Sequence, residues 1–174
     1  MINTIISNFS KLFAYDWNDV FSKLKASDKE IPIPASVTTD IKTGAIFSII
    51  LNIILVVIGA VIMLLISLFA GGLKGLLVIL GVIIVMAIPI TVGIVIAIIV
   101  INYLTGDQIR KPLAYIIVLI LVALGVFGSF LNLLSGLAGF NFLSLIQLGT
   151  FLVTSAGSVS IAVGCIDFCL EANK

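Results

Sequence analysis

The stretch Gly44 to Ala70, GAIFSIILNIILVVIGAVIMLLISLFA, decides the fold, because it runs through 27 residues without a charge. A helix needs about 20 apolar residues to cross the hydrocarbon core of a bilayer. Inside that core every backbone N–H and C=O group must find its partner within the chain, so a single spanning segment has to be helical. The sequence therefore predicts a transmembrane α-helix over residues 44–70.

Three further uncharged runs follow, at residues 76–104, 113–135 and 143–166. Gly-rich segments at 71–75 and 136–141 join the runs in pairs, and a polar loop at 105–112 separates the pairs. The chain is 61% hydrophobic and 10% charged, whereas soluble domains are about 45–50% apolar and about 25% charged. We therefore predict an all-α membrane protein with four transmembrane helices arranged as two hairpins.

The distribution of Lys and Arg predicts the orientation of these helices. Residues 1–43 hold five of the nine, the loop 105–112 holds two and the C-terminus holds one, which leaves Lys74 in the Gly-rich turns. Because cytoplasmic loops carry the excess of Lys and Arg, both termini and the middle loop are expected in the cytoplasm. We expect the protein in the plasma membrane of a prokaryote.

Residues 1–43 form a separate region with a different pattern. Apolar side chains recur there at spacings of three and four, which predicts one amphipathic helix from Ile2 to about Lys25. Such a helix is expected to lie in the membrane interface, with packing against a soluble partner as the alternative. Four aromatic residues are expected to make the contact with lipid or partner: Phe9, Phe13, Trp17 and Phe21.

A stiff connector is predicted after this helix. Pro32 and Pro34 alternate with isoleucines in the segment Ile31 to Pro34, and each proline removes a backbone donor and favours an extended course. Thr38, Thr39 and Asp40 are candidates for capping the helix that follows.

Small and polar residues within the runs predict helix packing. Ala156, Ser160 and Gly164 share one helical row, as do Gly125 and Ser129, and such rows permit close approach of helices in lipid. Packing inside one bundle is expected for these rows, with an additional contact between subunits through the fourth run as the alternative.

Two further packing predictions concern a proline and a pair of amides inside the runs. Pro89 is expected to kink the second run, with Gly59 facing the kink. Asn132 and Gln147 lie at similar distances from the second Gly-rich turn, so we predict that their amides pair inside the bundle.

Residues that could carry chemistry are scarce. The sequence has no His, the commonest general base at neutral pH and the commonest metal ligand. None of the runs contains an ionisable carboxylate or amine, and Asp167 lies at the cytoplasmic end of the last one, where it is expected to be an interfacial charge. A coupling site or a subunit contact is the alternative for Asp167. Cys165 and Cys169 are expected to be buried side chains, and no cofactor, metal or nucleic acid is predicted.

These observations favour a non-enzymatic membrane protein that acts by assembly. It would be a small subunit of a larger membrane complex, or a self-associating protein that organises a membrane, with lipid, other subunits or itself as partners. The alternative is a small oligomeric channel or facilitator without a protonatable residue in mid-membrane. That alternative needs a continuous polar stripe, for which the candidates are Thr150, Thr154, Ser158 and Asp167.

Overall fold

The computed structural model describes residues 1–106, 108–138 and 142–174, without the side chains of residues 85, 86, 89, 90, 142 and 143. The described chain is all-α. Its elements are α1 (Ile2–Ala14), α2 (Trp17–Lys23), β1 (Ile31–Pro32), α3 (Ala35–Thr105), β2 (Ile109–Arg110), α4 (Pro112–Leu137) and α5 (Phe142–Ala172).

Three helices are long and apolar enough to cross a membrane: residues 35–84 within α3, the whole of α4, and residues 144–172 of α5. A shorter apolar helical segment covers Thr91–Thr105. The all-α fold class is thus confirmed for the described chain, and three of its helices qualify as candidate spans.

The helix α3 is interrupted at Gly72, whose φ of 57° and ψ of −150° are not helical. A positive φ of this kind is readily adopted only by glycine. A Cβ atom on Gly75 would lie 2.8 Å from the carbonyl oxygen of Ser67, so the chain folds back on itself here. We call residues 35–71 the first arm of α3 and residues 73–105 the second arm.

The two ends of α3 meet at the same end of the molecule. The short strands that flank it pair antiparallel, with Ile31 opposite Arg110. Val37 of the first arm and Leu104 of the second belong to one buried cluster. We call this end, where the C-terminal residue Ala172 of α5 also lies, the terminal end.

The helix α5 is the centre of the fold, since α1, α2, α3 and α4 all pack on it. The main core lies at the terminal end and consists of Val37, Ile41, Leu104, Tyr115, Cys165, Phe168, Cys169 and Ala172. Tyr115 stacks on Phe168 with ring centroids 3.8 Å apart and donates a hydrogen bond of 2.7 Å to the Leu104 carbonyl. Elsewhere large apolar side chains of α3 and α4 face outward.

The prediction of one continuous helix from Ile2 to about Lys25 is wrong. Tyr15 has an extended backbone (φ −64°, ψ 139°) and ends α1. Asp16 then caps α2, because its carboxylate accepts a hydrogen bond of 3.0 Å from the Asn18 N–H. An aspartate at this position competes with the helix for backbone donors, which the apolar periodicity does not reveal.

The start of α3 also differs from the prediction. The helix begins at Ala35, before Gly44, with Pro34 as its N-cap residue. Asp40 therefore lies inside the helix rather than at its cap. The predicted kink at Pro89 concerns a side chain outside the described residues. Gly59, predicted to face that kink, instead packs on Ile146 of α5.

Candidate functional site

Polar side chains from three helices meet where α1 packs on α3 and α5. Three of these residues lie on α1 or at its C-terminal end: Asn8, Lys11 and Tyr15. Their spacings of three and four place them on one face of the helix. That face meets α3 at Asp40 and α5 at two positions. We call the set Asn8, Lys11, Tyr15, Asp40, Ser160 and Asp167 the polar junction.

The inner half of the polar junction is buried. The Asn8 amide nitrogen donates to the Asp40 carboxylate at 2.9 Å and to the Ser160 hydroxyl at 2.8 Å. The Ser160 hydroxyl in turn donates to the Asp40 carbonyl at 2.9 Å. Asn8 and Asp40 are only 4% and 8% exposed. Because burying a polar group without a partner is costly, these bonds fix the position of α1 on the two longer helices.

The outer half of the polar junction centres on Asp167. Its carboxylate pairs with the Lys11 ammonium and accepts a hydrogen bond of 2.7 Å from the Tyr15 hydroxyl. Burial, the hydrogen bond to Asp167 and the negative charges nearby raise the pKa of Tyr15 well above its usual range. Tyr15 therefore stays protonated and remains a hydrogen-bond donor. The predicted end charge is thus engaged by the N-terminal helix of its own chain.

This arrangement suits attachment of a helix. Two carboxylates and one ammonium are gathered on buried or half-buried positions, and each has a hydrogen-bond partner supplied by another helix. Within the part of the chain that the structure describes, no group of three or more His, Cys, Asp or Glu residues could hold a metal ion.

The four aromatic residues of α1 and α2 lie on the exposed side of these helices, whereas Ile5 and Val20 are buried. Phe13 and Phe21 are 82% and 70% exposed, and Phe9 and Trp17 are about half as exposed as Phe13. The Trp17 ring lies beside that of Phe21, with centroids 5.8 Å apart. The proposed contact of these four aromatics with lipid or partner stays a prediction, and the structure leaves them accessible.

The helices α3 and α5 approach each other closely around Gly44 and Gly157. A Cβ atom on Gly157 would lie 2.5 Å from the Gly44 carbonyl oxygen and would also strike the Ser48 hydroxyl. One on Gly164 would lie 2.7 Å from Ile41. The predicted packing residues Ser160 and Gly164 therefore do lie in this contact.

Gly157, rather than the predicted Ala156, lies at the point of contact with α3. Ala156 is half-buried, and Gly157 makes the backbone contact. Gly157, Ser160 and Gly164 are spaced by three and four residues, which also places them on one helical face.

The predicted pairing of Asn132 with Gln147 is wrong. The Gln147 amide packs against Gly136, where an added Cβ atom would overlap it, and its Oε1 atom has no hydrogen-bond partner among the described residues. Asn132 is exposed, one helical turn away. Because Gly136 has no side chain, the Gln147 amide packs directly against its backbone.

Gly125 of α4 makes no close contact with another helix among the described residues. A Cβ atom on Gly125 or on Gly128 would meet nothing within 4 Å. The Ser129 hydroxyl donates to the Gly125 carbonyl of its own helix at 2.9 Å. This part of α4 is therefore an open surface of small residues.

Two cavities lie between the helices. One, of about 690 Å³, lies between the two arms of α3. Its lining is mostly apolar and also includes the polar residues Ser48, Asn52 and Thr91. Another of about 590 Å³ lies under Trp17 and Phe21 of α2, between α4 and α5.

Comparison with known proteins gives no relative. No protein-family model matches the chain, and neither a curated protein nor a solved structure matches it.

Proposed function

We propose that the chain is a non-enzymatic integral membrane protein that acts by assembly. It would serve as a small subunit of a larger membrane complex, or associate with itself to organise a membrane. In this proposal the two arms of α3 form one hairpin and α4 with α5 forms the other, which gives four spans with both termini in the cytoplasm. Reversal of α3 at Gly72 and the meeting of its ends at β1 and β2 support the first hairpin.

The open small-residue surface of α4 carries the proposal. Small residues on α5 are used within the chain, since Gly157 and Gly164 contact α3. Gly125 and Gly128 leave equally close packing unused. In lipid, where no hydrophobic force drives helices together, such small positions are what permit close association. The α4 surface is therefore a good candidate for the contact with another subunit.

Filling the α4 surface is expected to weaken assembly. A double variant, Gly125→Leu with Gly128→Leu, should lose most of its association, because two bulky side chains hold a partner helix away. The fold should persist, since nothing within 4 Å would obstruct the new Cβ atoms. The measurement is the molecular mass of the particle purified in mild detergent, together with the proteins that accompany it at fixed stoichiometry.

Gly81→Leu serves as the matched control, because Gly81 is also open but lies on α3. This control should assemble like the wild type. An α4 double variant with unchanged mass and unchanged companions would contradict the proposal. A homogeneous single-component oligomer would favour self-association, and a co-purifying membrane protein would favour the subunit role.

The channel alternative receives less support. Thr154 accepts a hydrogen bond of 3.0 Å from Asn52 on the α3 side of α5, whereas Ser158 lines the cavity toward α2 and α4. Asp167 pairs with Lys11. The predicted stripe is thus divided between different faces of α5, and a pore along it would need these contacts to break.

Reporter fusions test the orientation. Fusions after Lys25, after Gln108 and at Lys174 are expected to report a cytoplasmic location, and those at Gly72 and Ala138 an external one. The excess of Lys and Arg at the first three positions is the physical reason. An external signal after Gln108 would contradict the four-span arrangement.

A further inference from the structure

Contacts between α3 and α5 fix how far each hairpin extends. Along the first arm, Leu55 lies beside Gly149, and Gly59 lies against Ile146, where an added Cβ atom would be 2.9 Å from the isoleucine Cδ1. The two helices run antiparallel here, so later residues of the first arm face earlier residues of α5. Gly59 and Ile146 mark one level along the bundle.

From this level the two hairpins end at different heights. The first arm continues for about 20 Å beyond Gly59 before Gly72 turns it, at about 1.5 Å per helical residue. The helix α5 ends at Phe142, about 6 Å beyond Ile146. The α4 helix reaches no further out than α5, because Gly136, one residue before its end, packs on Gln147, five residues inside α5. Residues 63–81 of α3, which we call the overhang, thus extend about 14 Å past the Phe142 end of α5.

The overhang is apolar on all sides. Lys74 in the turn is its only charge. Exposed large side chains stand at adjacent positions, as in the pairs Leu68–Phe69 and Leu77–Val78, and Phe69 is 86% exposed. Adjacent residues point about 100° apart on a helix. A protein partner would cover one face of such an element, whereas lipid covers it all round.

We infer that the non-cytoplasmic leaflet of the bilayer surrounds the overhang, and that this leaflet is locally thinner beside the Leu137 end of α4 and the Phe142 end of α5. The inference rests on the two-hairpin arrangement proposed above. Its partner is lipid, in continuity with the uncharged surface of the two arms below. The outer boundary of the hydrocarbon therefore descends by about 14 Å from one side of the protein to the other.

The polar groups at the end of α4 explain why lipid does not also cover that side. Asn132 and Ser135 lie in its last turns and are exposed. The last carbonyl groups of a helix have no partner in its regular pattern; the described residues supply the Ala138 N–H to that of Leu134 and the Ser144 hydroxyl to that of Gly136. Water or lipid head groups can satisfy the others, and acyl chains cannot.

Cysteine labelling in the full-length protein tests this inference. The variants are Phe69→Cys in the overhang, Lys74→Cys at its turn and Leu137→Cys at the end of α4, each probed with a charged, membrane-impermeant maleimide from the non-cytoplasmic side. Wild-type protein gives the background, since Cys165 and Cys169 are fully buried. We expect Phe69→Cys to react at least about tenfold more slowly than the other two. Denaturation in detergent should make all three reactive.

The expected order is unusual, because Leu137 lies deeper along the bundle than Phe69 and still reacts faster. Rapid labelling of Phe69→Cys in both native membranes and purified nanodiscs would overturn the inference, as would protection of Leu137→Cys. Labelling of Phe69→Cys in nanodiscs alone would show that a protein, rather than lipid, covers the overhang. Labelling of Lys74→Cys only from the cytoplasmic side would refute the proposed orientation. A change in the mass of the oligomer would contradict the assembly proposal and would leave this inference standing.

Discussion

Replacing Gly157 by alanine is expected to destabilise the fold by about 3 kcal/mol, a large effect for one methyl group. The new Cβ atom would lie 2.5 Å from the Gly44 carbonyl oxygen. Since that oxygen belongs to the backbone, it cannot rotate away, and α3 must separate from α5. The separation also disturbs Ser160, one turn further along, and with it the polar junction. Unfolding in mixed micelles with increasing fractions of denaturing detergent measures the loss.

Three other glycine-to-alanine changes calibrate this effect. Gly164→Ala should cost somewhat less, because the nearest atom is the Ile41 Cγ1 at 2.7 Å and the nearest backbone atom, the Val37 carbonyl oxygen, is at 3.2 Å. Gly149→Ala meets Leu55 only at 3.4 Å and should be close to neutral. Gly125→Ala meets nothing and should be neutral or stabilising by up to about 1 kcal/mol, since alanine favours helix. Equal stability of the Gly157 and Gly125 variants would contradict the packing of α3 on α5.

Much of the fold can be predicted because hydrocarbon imposes strict rules. Long runs without charge have to be helical, and the described helices cover those runs. Gly72 lies within the segment where a turn was predicted. Helix boundaries that depend on local hydrogen bonding at the cap are harder to predict from the sequence, as Asp16 and Pro34 show. Each sets a helix boundary by capping, which depends on side-chain or backbone geometry rather than on hydrophobic periodicity.

Rotation of a helix about its axis is the second property that the sequence conceals. Small residues occur on several faces of α5, so no amphipathic pattern says which face meets α3. Two of the three predicted positions, Ser160 and Gly164, lie in the contact, and the third is Gly157 rather than the neighbouring Ala156. The predicted pairing of Asn132 with Gln147 was wrong for a related reason, since two side chains at a similar depth in the membrane need not face each other.

The polar junction could have been predicted only in part. Asn8 and Lys11 stand on the polar side of the amphipathic pattern, which was expected to face water. The structure instead turns these two side chains and Tyr15 toward Asp40 and Asp167. An amphipathic helix can satisfy its polar face with protein and leave its apolar face to lipid, and the pattern alone is the same in both cases.

Replacing Asn8 by leucine is therefore expected to release α1 from the rest of the molecule. Leucine has a similar volume but no donor, so the Asp40 carboxylate and the Ser160 hydroxyl would each lose a bond of less than 3 Å in a buried place. Leaving buried groups unsatisfied costs about 1–3 kcal/mol each, or about 2–4 kcal/mol for the two together after partial relaxation. Lys11 and Asp167 would not compensate, because half-exposed ion pairs contribute little.

Amide hydrogen exchange measures this release. Exchange in residues 2–14 should accelerate by about 30- to 1,000-fold, which corresponds to the energy above at about 1.4 kcal/mol per tenfold change. Exchange in the core helix α5 around Phe168 should change far less, because the Tyr115–Phe168 stack is independent of α1. Asn3→Leu is the matched control, since Asn3 is on the same helix but exposed, and it should exchange like the wild type. If both variants protect α1 equally well, α1 is held by lipid or by its apolar contacts, and the buried hydrogen bonds are not what attaches it.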